Sequence, residues 1–177
     1  MAGGHNAVPA FVAHTPNRDG EWHELVDHLT SVGVLAERFA GRFGAGTWAR
    51  LAGLWHDLGK ANPAFREYLI SASEGRTLPS PGHSSAGAAL AADVGLEPLA
   101  FAIAGHHSGL PSKRRLIERL DHAADDAGVR AARLLLAGHP ALQAPTDQKC
   151  SRVRGDELSS GGRGGAPTLV RRLVGGW

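Results

Sequence analysis

The sequence predicts an all-α fold, a helical bundle with a metal site between its helices. Apolar residues recur at intervals of three and four along several segments, which is the spacing of one helix face. Leu and Ala are abundant, aromatic residues make up only 6% of the chain, and no segment shows the strict alternation of a strand. Apolar runs longer than about 12 residues are absent, so no membrane span is expected.

The first helix is expected over residues 21–43, and Gly44 to Gly46 should form the turn after it. The apolar stripe of this helix consists of Trp22, Leu25, Val26, Leu29, Val32, Ala36 and Phe39. Thr47 is the expected N-cap of the second helix.

The second helix is expected to continue through residues 51–60. Its buried face comprises Leu51, Leu54, Trp55 and Leu58. Gly59 occupies the position where a left-handed residue commonly ends a helix. Asn62 and Pro63 then predict the start of a short third helix, with Asn as the cap and Pro in the first turn.

Four further helices are expected. A loop rich in Ser, Pro and Gly over residues 73–82 precedes a small-residue helix that begins at His83. The next helix begins at Pro98 and opens into a loop at the Gly105-His106-His107 sequence. Two more are expected over residues 111–127 and 129–137.

The composition predicts one domain over residues 1–143 and a different character beyond it. Residues 144–177 are rich in Gly, Ser and Arg, and we expect them to be a disordered, truncated or frame-shifted tail. The domain carries 13 Lys and Arg against 14 Asp and Glu, whereas the tail carries 6 against 3. A single cysteine, Cys150, and no visible secretory signal indicate a cytoplasmic protein.

The ten histidines are many for 177 residues, and they suggest a metal site, since imidazole is the commonest metal ligand. A carboxylate among Leu and Trp, as at Asp57, costs several kcal/mol unless it is paired or metal-bound. Neighbouring helical residues point about 100° apart, so His56 and Asp57 can face one cavity from two sides, and Asp57 can bridge two ions. The candidate ligands are His28, His56, Asp57, His83, His106 and His107. Mn, Fe, Co, Ni, Mg or Zn would suit such a mixed site.

Five sequence pieces between residues 13 and 111 resemble the HD-type nuclease domain of the CRISPR-associated helicase-nuclease of type I systems. They are Ala13-His14-Thr15, Asp27-His28-Leu29, the segment from Leu54 to Phe65, the segment from His83 to Ala88, and the segment from Ile103 to Pro111. The bare His-Asp pair is shared by a whole superfamily of phosphohydrolases. Its extension through Lys60, Asn62 and Phe65, and the later His-His-x-Gly-Leu-Pro, are more specific.

This resemblance implies a metal-dependent nuclease that hydrolyses single-stranded DNA beside a helicase motor and a guide-RNA surveillance complex. It also implies two metals: one held by Asp57, His83, His106 and His107, and one held by His28, His56 and Asp57. The expected catalytic residues are His56, Asp57 and Lys60. Lys60 would neutralise a phosphate oxygen, and the alternative interpretation is a lysine on the surface at a helix end.

The sequence departs from the family pattern in two ways: one metal-binding aspartate is not found, and no helicase part follows the domain. The family's further metal-binding aspartate is not found in its usual context; the acidic residues considered for it are Asp121, Asp125, Asp126, Asp147 and Asp156. No phosphate-binding loop of a helicase is present. Two other functions therefore remain open: a phosphohydrolase of nucleotides or cyclic nucleotides, and a metal-binding remnant without turnover.

The remaining candidates receive simpler interpretations. His14 is expected near the site, as a hydrogen-bonding residue or as a ligand. We interpret four histidines as surface or loop residues and three tryptophans as core: His5, His23, His122 and His139, and Trp22, Trp48 and Trp55. Arg114 and Arg115 are expected to form a solvated helix start, and the alternative interpretation is contact with a phosphate backbone.

Overall fold

The computed structural model describes residues 7–123 and 126–144. Within these ranges the chain forms seven α-helices and contains no β-strand, which confirms the predicted all-α class. The helices are α1 (Leu25–Ala40), α2 (Gly46–Trp55), α3 (Pro63–Ser73), α4 (Ser84–Asp93), α5 (Glu97–Gly105), α6 (Lys113–Ala123) and α7 (Ala127–Gly138). Short 3-10 segments cover Gly41–Phe43, Leu58–Ala61 and Pro140–Leu142.

Helix α4 lies at the centre of the bundle. Residues 86–92 of this helix are all buried, and the helix contacts α5, α6, α7 and the Leu58–Ala61 segment. Ala and Gly provide most of this buried stretch, and their small side chains allow neighbouring elements to approach closely. Leu25, Leu29, Leu54 and Ile103 are among the fully buried side chains of the surrounding core.

Helix α1 is shorter than the predicted 21–43 segment. Its start is delayed because Val12 and Glu24 form an isolated antiparallel bridge, and the Leu25 amide donates to the Phe11 carbonyl at 3.1 Å. Trp22 therefore precedes the helix and packs, partly buried, against a small cluster around Val12 and Phe65. At the other end, Gly44 adopts φ +72°, which terminates the helical path.

Two side chains predicted to be core are exposed. Phe39 is 63% exposed and Trp48 is 41% exposed. Phe39 lies in the last turn of α1 and Trp48 in the first turn of α2. Their spacing matches an apolar helix face, but at these two helix ends that face is not covered by the core. Thr47 is not the N-cap of α2, because the helix begins at Gly46 with Ala45 in the cap position.

The second helix ends at Trp55, four residues before Gly59. Gly59 does not have a positive φ, so its predicted role as a left-handed helix terminator is wrong. The third-helix prediction is confirmed: Asn62 caps α3 by accepting from the Ala64 amide at 3.1 Å, and Pro63 follows it.

The last described segment is fastened to the end of α2. The indole Nε1–H of Trp55 donates to the carbonyl of Leu142 at 2.9 Å, and the bond is buried. Leu142 itself is 0% exposed. Trp55 is thus core, as predicted, and it holds the Pro140–Leu142 segment against the helix that leads into His56.

The tail prediction covers residues 144–177, of which only Ala144 is described. Residues 145–177, which include Asp147, Cys150 and Asp156, lie outside the described ranges, as do His5 and Asp125. Within the described ranges, no helix combines the length and the apolar character needed to cross a membrane.

Candidate metal centre

The centre is built around Asp57, which follows the end of α2. The His56 amide still donates to Ala52 at 2.9 Å, but Asp57 leaves the helical path with φ −113° and ψ 15°. This change of direction turns the carboxylate inward, where the residue is only 3% exposed. A buried carboxylate needs strong partners, because transfer from water is otherwise costly by several kcal/mol.

The two oxygens of Asp57 face different sets of side chains. Oδ2 lies 2.8 Å from Lys60 Nζ, 3.1 Å from His56 Nε2 and 3.4 Å from His28 Nε2. Oδ1 lies 3.3 Å from His106 Nε2 and 3.4 Å from His83 Nε2. The carboxylate therefore divides the surrounding imidazoles into two groups.

Each group has the composition of a metal site. Asp57, His83, His106 and His107 offer ligand atoms that all lie within 4.8 Å of one another, and so do His28, His56 and Asp57. The structure thus brings together all six residues that the sequence analysis named as ligands, in the same two groups that the resemblance implied.

Backbone carbonyls orient two of the rings. Nδ1 of His56 lies 2.7 Å from the Gly53 carbonyl, and Nδ1 of His106 lies 2.6 Å from the Ile103 carbonyl. A carbonyl only accepts, so each Nδ1 carries a proton, and in the neutral ring Nε2 presents a lone pair. Both lone pairs face Asp57 oxygens, which are also acceptors.

In the metal-free chain a second proton on the ring lets Nε2 donate to the carboxylate. A bound metal ion would replace that proton. The Nε2 atoms of His83 and His107 are 2.7 Å apart, so one ring can donate to the other in the metal-free chain, and both can turn their lone pairs to one ion. Metal-binding histidines commonly donate their second ring nitrogen to a carbonyl in this way. The donor set of imidazoles around a bridging carboxylate therefore fits divalent metal ions, which suit mixed N/O ligands.

Burial and hydrogen bonding shift the pKa of Asp57 and those of the surrounding histidines by different amounts. Burial by itself raises the pKa of Asp57, but hydrogen bonds from His106, His28 and His56 outweigh it and hold that pKa far below its ordinary value. Asp57 is therefore the permanent anion of the centre.

The histidines of the first group differ from one another. Burial lowers the pKa of His83 to about 4 and lowers that of His107 as well. Burial also acts to lower the pKa of His106, but its bonds to Asp57 and to the Ile103 carbonyl raise it overall. A neutral imidazole, such as His83 at pH 7, is the form that binds a metal.

Close backbone contacts position the elements that carry the ligands. A Cβ on Gly59 would collide with the backbone carbonyl of His83, and a Cβ on Gly87 would collide with the carbonyl of Trp55. A Cβ on Gly53 would lie 2.8 Å from the backbone of Gly33, where α1 and α2 cross. These glycines allow the segments bearing His28, His56 and His83 to approach the same point.

Lys60 is not the surface lysine of the alternative interpretation. It is 6% exposed, and its Nζ donates to the Ala13 carbonyl at 2.9 Å besides contacting Asp57. The ammonium also lies 5.5 Å from the centroid of the Phe65 ring. It is therefore a buried positive charge that belongs to the centre.

Two further histidines lie beside the centre. The rings of His14 and His28 are 4.9 Å apart between centroids, and burial, with the nearby Lys60 charge, lowers the pKa of His14. His23 was interpreted only as a surface or loop residue; it is exposed, but its ring lies 5.5 Å from that of His28. Helical periodicity could not indicate this position, because His23 lies before α1, in the segment that pairs with residues 11–13.

The other acidic candidates have different roles or positions. The Asp126 carboxylate caps α7 by accepting from the amides of Gly128 and Val129. Asp121 lies exposed on α6, and the described residues supply no second carboxylate to either metal group. Arg114 and Arg115 are exposed at the start of α6, as expected for a solvated helix start.

Comparison with known families adds one match. A family model described as "HD domain" matches residues 25–138. This range covers α1 to α7 and contains every ligand of the two groups. No curated protein matches the chain.

Proposed function

The chain belongs to the HD domain family and is a metal-dependent hydrolase, and from this premise we propose that it cleaves the phosphodiester bonds of single-stranded DNA. We further propose that it acts in CRISPR-based antiviral defence, in the cytoplasm, with a helicase motor and a guide-RNA surveillance complex as partners. The sequence pieces between Ala13 and Pro111 support this choice within the family.

The observation that carries the hydrolytic function is the division of the Asp57 carboxylate between two imidazole groups. One oxygen faces His28 and His56, and the other faces His83 and His106. A carboxylate shared in this way can hold two ions close together. Divalent ions bound there supply Lewis-acid polarisation of a phosphate and lower the pKa of an attacking water.

The chain's own residues prepare the centre for that chemistry. The Gly53 and Ile103 carbonyls hold His56 and His106 in the Nδ1-protonated form, so that Nε2 is free to ligate. His56 and Asp57 are the proposed catalytic ligands, with His28, His83, His106 and His107 completing the metal set.

Lys60 has two proposed roles. Its contact with Oδ2 fixes the rotamer of Asp57, and its anchor on the Ala13 carbonyl keeps the ammonium in place. An ammonium has three donors, and we assign the one remaining after these two contacts to a phosphate oxygen on which charge develops.

An extended strand suits the shape of this region better than an enclosed mononucleotide. His107 is exposed, and the following residues, Ser108 to Leu110, are exposed as well, with Leu110 at 76%. Arg114 and Arg115 are exposed in the first turn of α6, shortly after this segment, and offer positive charge to a phosphate backbone. One side of the first metal group therefore opens onto a surface along which a strand can pass.

The deciding experiment uses the full chain with circular single-stranded DNA, with and without added Mn²⁺, Co²⁺, Ni²⁺, Fe²⁺, Mg²⁺ or Zn²⁺. We expect metal-dependent cleavage that Asp57→Ala abolishes, since no other described residue bridges the two groups. His122→Ala, which removes an exposed histidine of α6, is the matched control and should retain full activity.

The two other functions predict different results from the same reactions. Hydrolysis of a nucleotide or cyclic nucleotide with intact DNA would replace our proposal by a nucleotide phosphohydrolase. Bound metal with neither activity would identify a metal-binding remnant. Full DNA cleavage by Asp57→Ala would refute the assignment of the centre.

A further inference from the structure

A second cluster of imidazoles lies on the surface beside the centre. It consists of His14, His23 and His28, whose candidate ligand atoms all lie within 4.8 Å of one another. We name this cluster the outer triad. His14 and His23 are exposed, whereas His28 is partly buried and is also a member of the second metal group.

The backbone holds the three residues of the outer triad in place. The Ala13 amide donates to the His23 carbonyl at 2.9 Å, within the same antiparallel pairing that joins Val12 to Glu24. His28 follows in the first turn of α1, where its amide donates to Glu24 at 3.0 Å. The bridged pair and the helix start therefore fix the Cα positions of all three histidines.

This scaffold is itself buried and anchored. Val12 and Ala13 are each 1% exposed, and Leu25 is fully buried. The Ala13 carbonyl also accepts from Lys60 at 2.9 Å, which ties the segment to the centre. The outer triad thus stands on a rigid part of the fold, although two of its side chains are open to solvent.

The three rings lie close together. The centroids of His14 and His23 are 6.1 Å apart, and each ring meets that of His28 nearly edge to face, at 85° and 89°. Three imidazoles, of which His14 and His23 are open to solvent, provide three ligands and leave coordination positions for water, as in open zinc sites. No carboxylate belongs to the cluster, and an all-imidazole set favours a borderline transition metal over Mg²⁺ or Ca²⁺.

We propose that the outer triad is a third binding site for a transition-metal ion such as Zn²⁺, and that it competes with the second metal group for His28. A neutral imidazole has one lone pair and one N–H, so His28 serves one ion at a time. Occupation of the outer triad withdraws His28 from His56 and Asp57. The site is thus inhibitory toward the second metal, while the first group remains loaded.

The competition determines how the site is tested. Zn²⁺ binding is measured by equilibrium dialysis in the full chain carrying His56→Ala, which weakens the second group and frees His28. We expect two equivalents of Zn²⁺: one in the first group and one in the outer triad. Addition of His23→Ala should reduce the content to one, and addition of His28→Ala should do the same.

The control adds His122→Ala to the same His56→Ala background and should leave two equivalents. Circular dichroism verifies that each chain is folded, and removal of the exposed His23 ring should not alter the spectrum. Equal Zn²⁺ content with and without His23 would overturn the proposal, as would retention of both equivalents after loss of His28. Since the readout is bound metal, the result does not depend on nuclease activity.

Discussion

Lys60 and Asp57 form a buried ion pair, with Nζ 2.8 Å from Oδ2 and both side chains less than 8% exposed. The pair lies at the point where the second metal group would carry its own positive charge. A metal ion bound there would share the negative charge of Asp57 with Lys60, so the carboxylate would depend less on the ammonium.

Lys60→Met should destabilise the metal-free domain by about 3 kcal/mol, because removal of one partner leaves a buried carboxylate without its nearest cation. With metal bound, the ions supply the missing charge, so the loss should be much smaller. Urea unfolding with chelator and with metal measures both values. Arg114→Met removes a cation whose side chain is 86% exposed, and it should change neither free energy of unfolding. An equal loss of stability with and without metal for Lys60→Met would contradict this account.

The first metal group should empty when its paired histidines are removed. His106→Ala combined with His107→Ala leaves only Asp57 and His83 there, so bound metal should fall by one equivalent relative to the unmodified chain. Metal analysis after dialysis measures the loss. An unchanged metal content would show that these histidines are structural.

The stability of the metal-free domain should fall as the pH is lowered through the range set by His83. Its pKa lies at about 4 in the folded chain, below the ordinary value of 6.5. As the pH falls below about 6.5, the unfolded chain gains a proton that the folded chain does not take up until about pH 4, so unfolding becomes easier.

The variant His83→Gln isolates this contribution from those of Asp57 and His106. Between pH 7.5 and 5, the urea midpoint of the unmodified chain should fall more than that of the variant, in the presence of chelator. A parallel decrease in the two chains would assign the pH dependence to other groups.

Gly87→Ala should disrupt the bundle, because the added methyl collides with the carbonyl of Trp55. A backbone carbonyl in a packed helix moves only if the helix moves. We therefore expect the free energy of unfolding to fall by about 3 kcal/mol, the upper end of the usual cost of overpacking. Gly138→Ala, where an added Cβ meets nothing within 4 Å, should be neutral or slightly stabilising. Similar unfolding midpoints for the two variants would refute the close-contact role of Gly87.

Local signals in the sequence were sufficient for the fold class and for the choice of candidate ligands, whereas their division into two groups was implied by the family resemblance. The cap at Asn62 and the small-residue helix after His83 follow from residue chemistry within a few positions. The bridge between Val12 and Glu24 and the exposure of Phe39 and Trp48 do not, because they depend on which segments meet. The position of Gly59 after an apolar helix predicts a helix terminator, whereas in the fold this glycine admits the backbone of His83, a contact across more than twenty residues.

The environments of the His23 and Lys60 side chains also depend on contacts between distant segments, which local sequence patterns do not indicate. An exposed histidine before a helix has no pattern that would indicate its neighbours, and the burial of Lys60 follows from the Ala13 segment lying over it. The candidate ligands could be chosen from the sequence because metal-binding residue types are few, and the structure brings these candidates together. It could not identify which surrounding residues hold or compete for them.

The bond between Trp55 and Leu142 gives the domain a mechanical property. Leu142 is two residues from the end of the described chain, and Trp55 immediately precedes His56. A pulling force applied to the chain after Ala144 would act on Leu142, whose carbonyl is bonded to the indole of the residue that precedes His56. The exit point of the domain and its metal chemistry are therefore connected under tension.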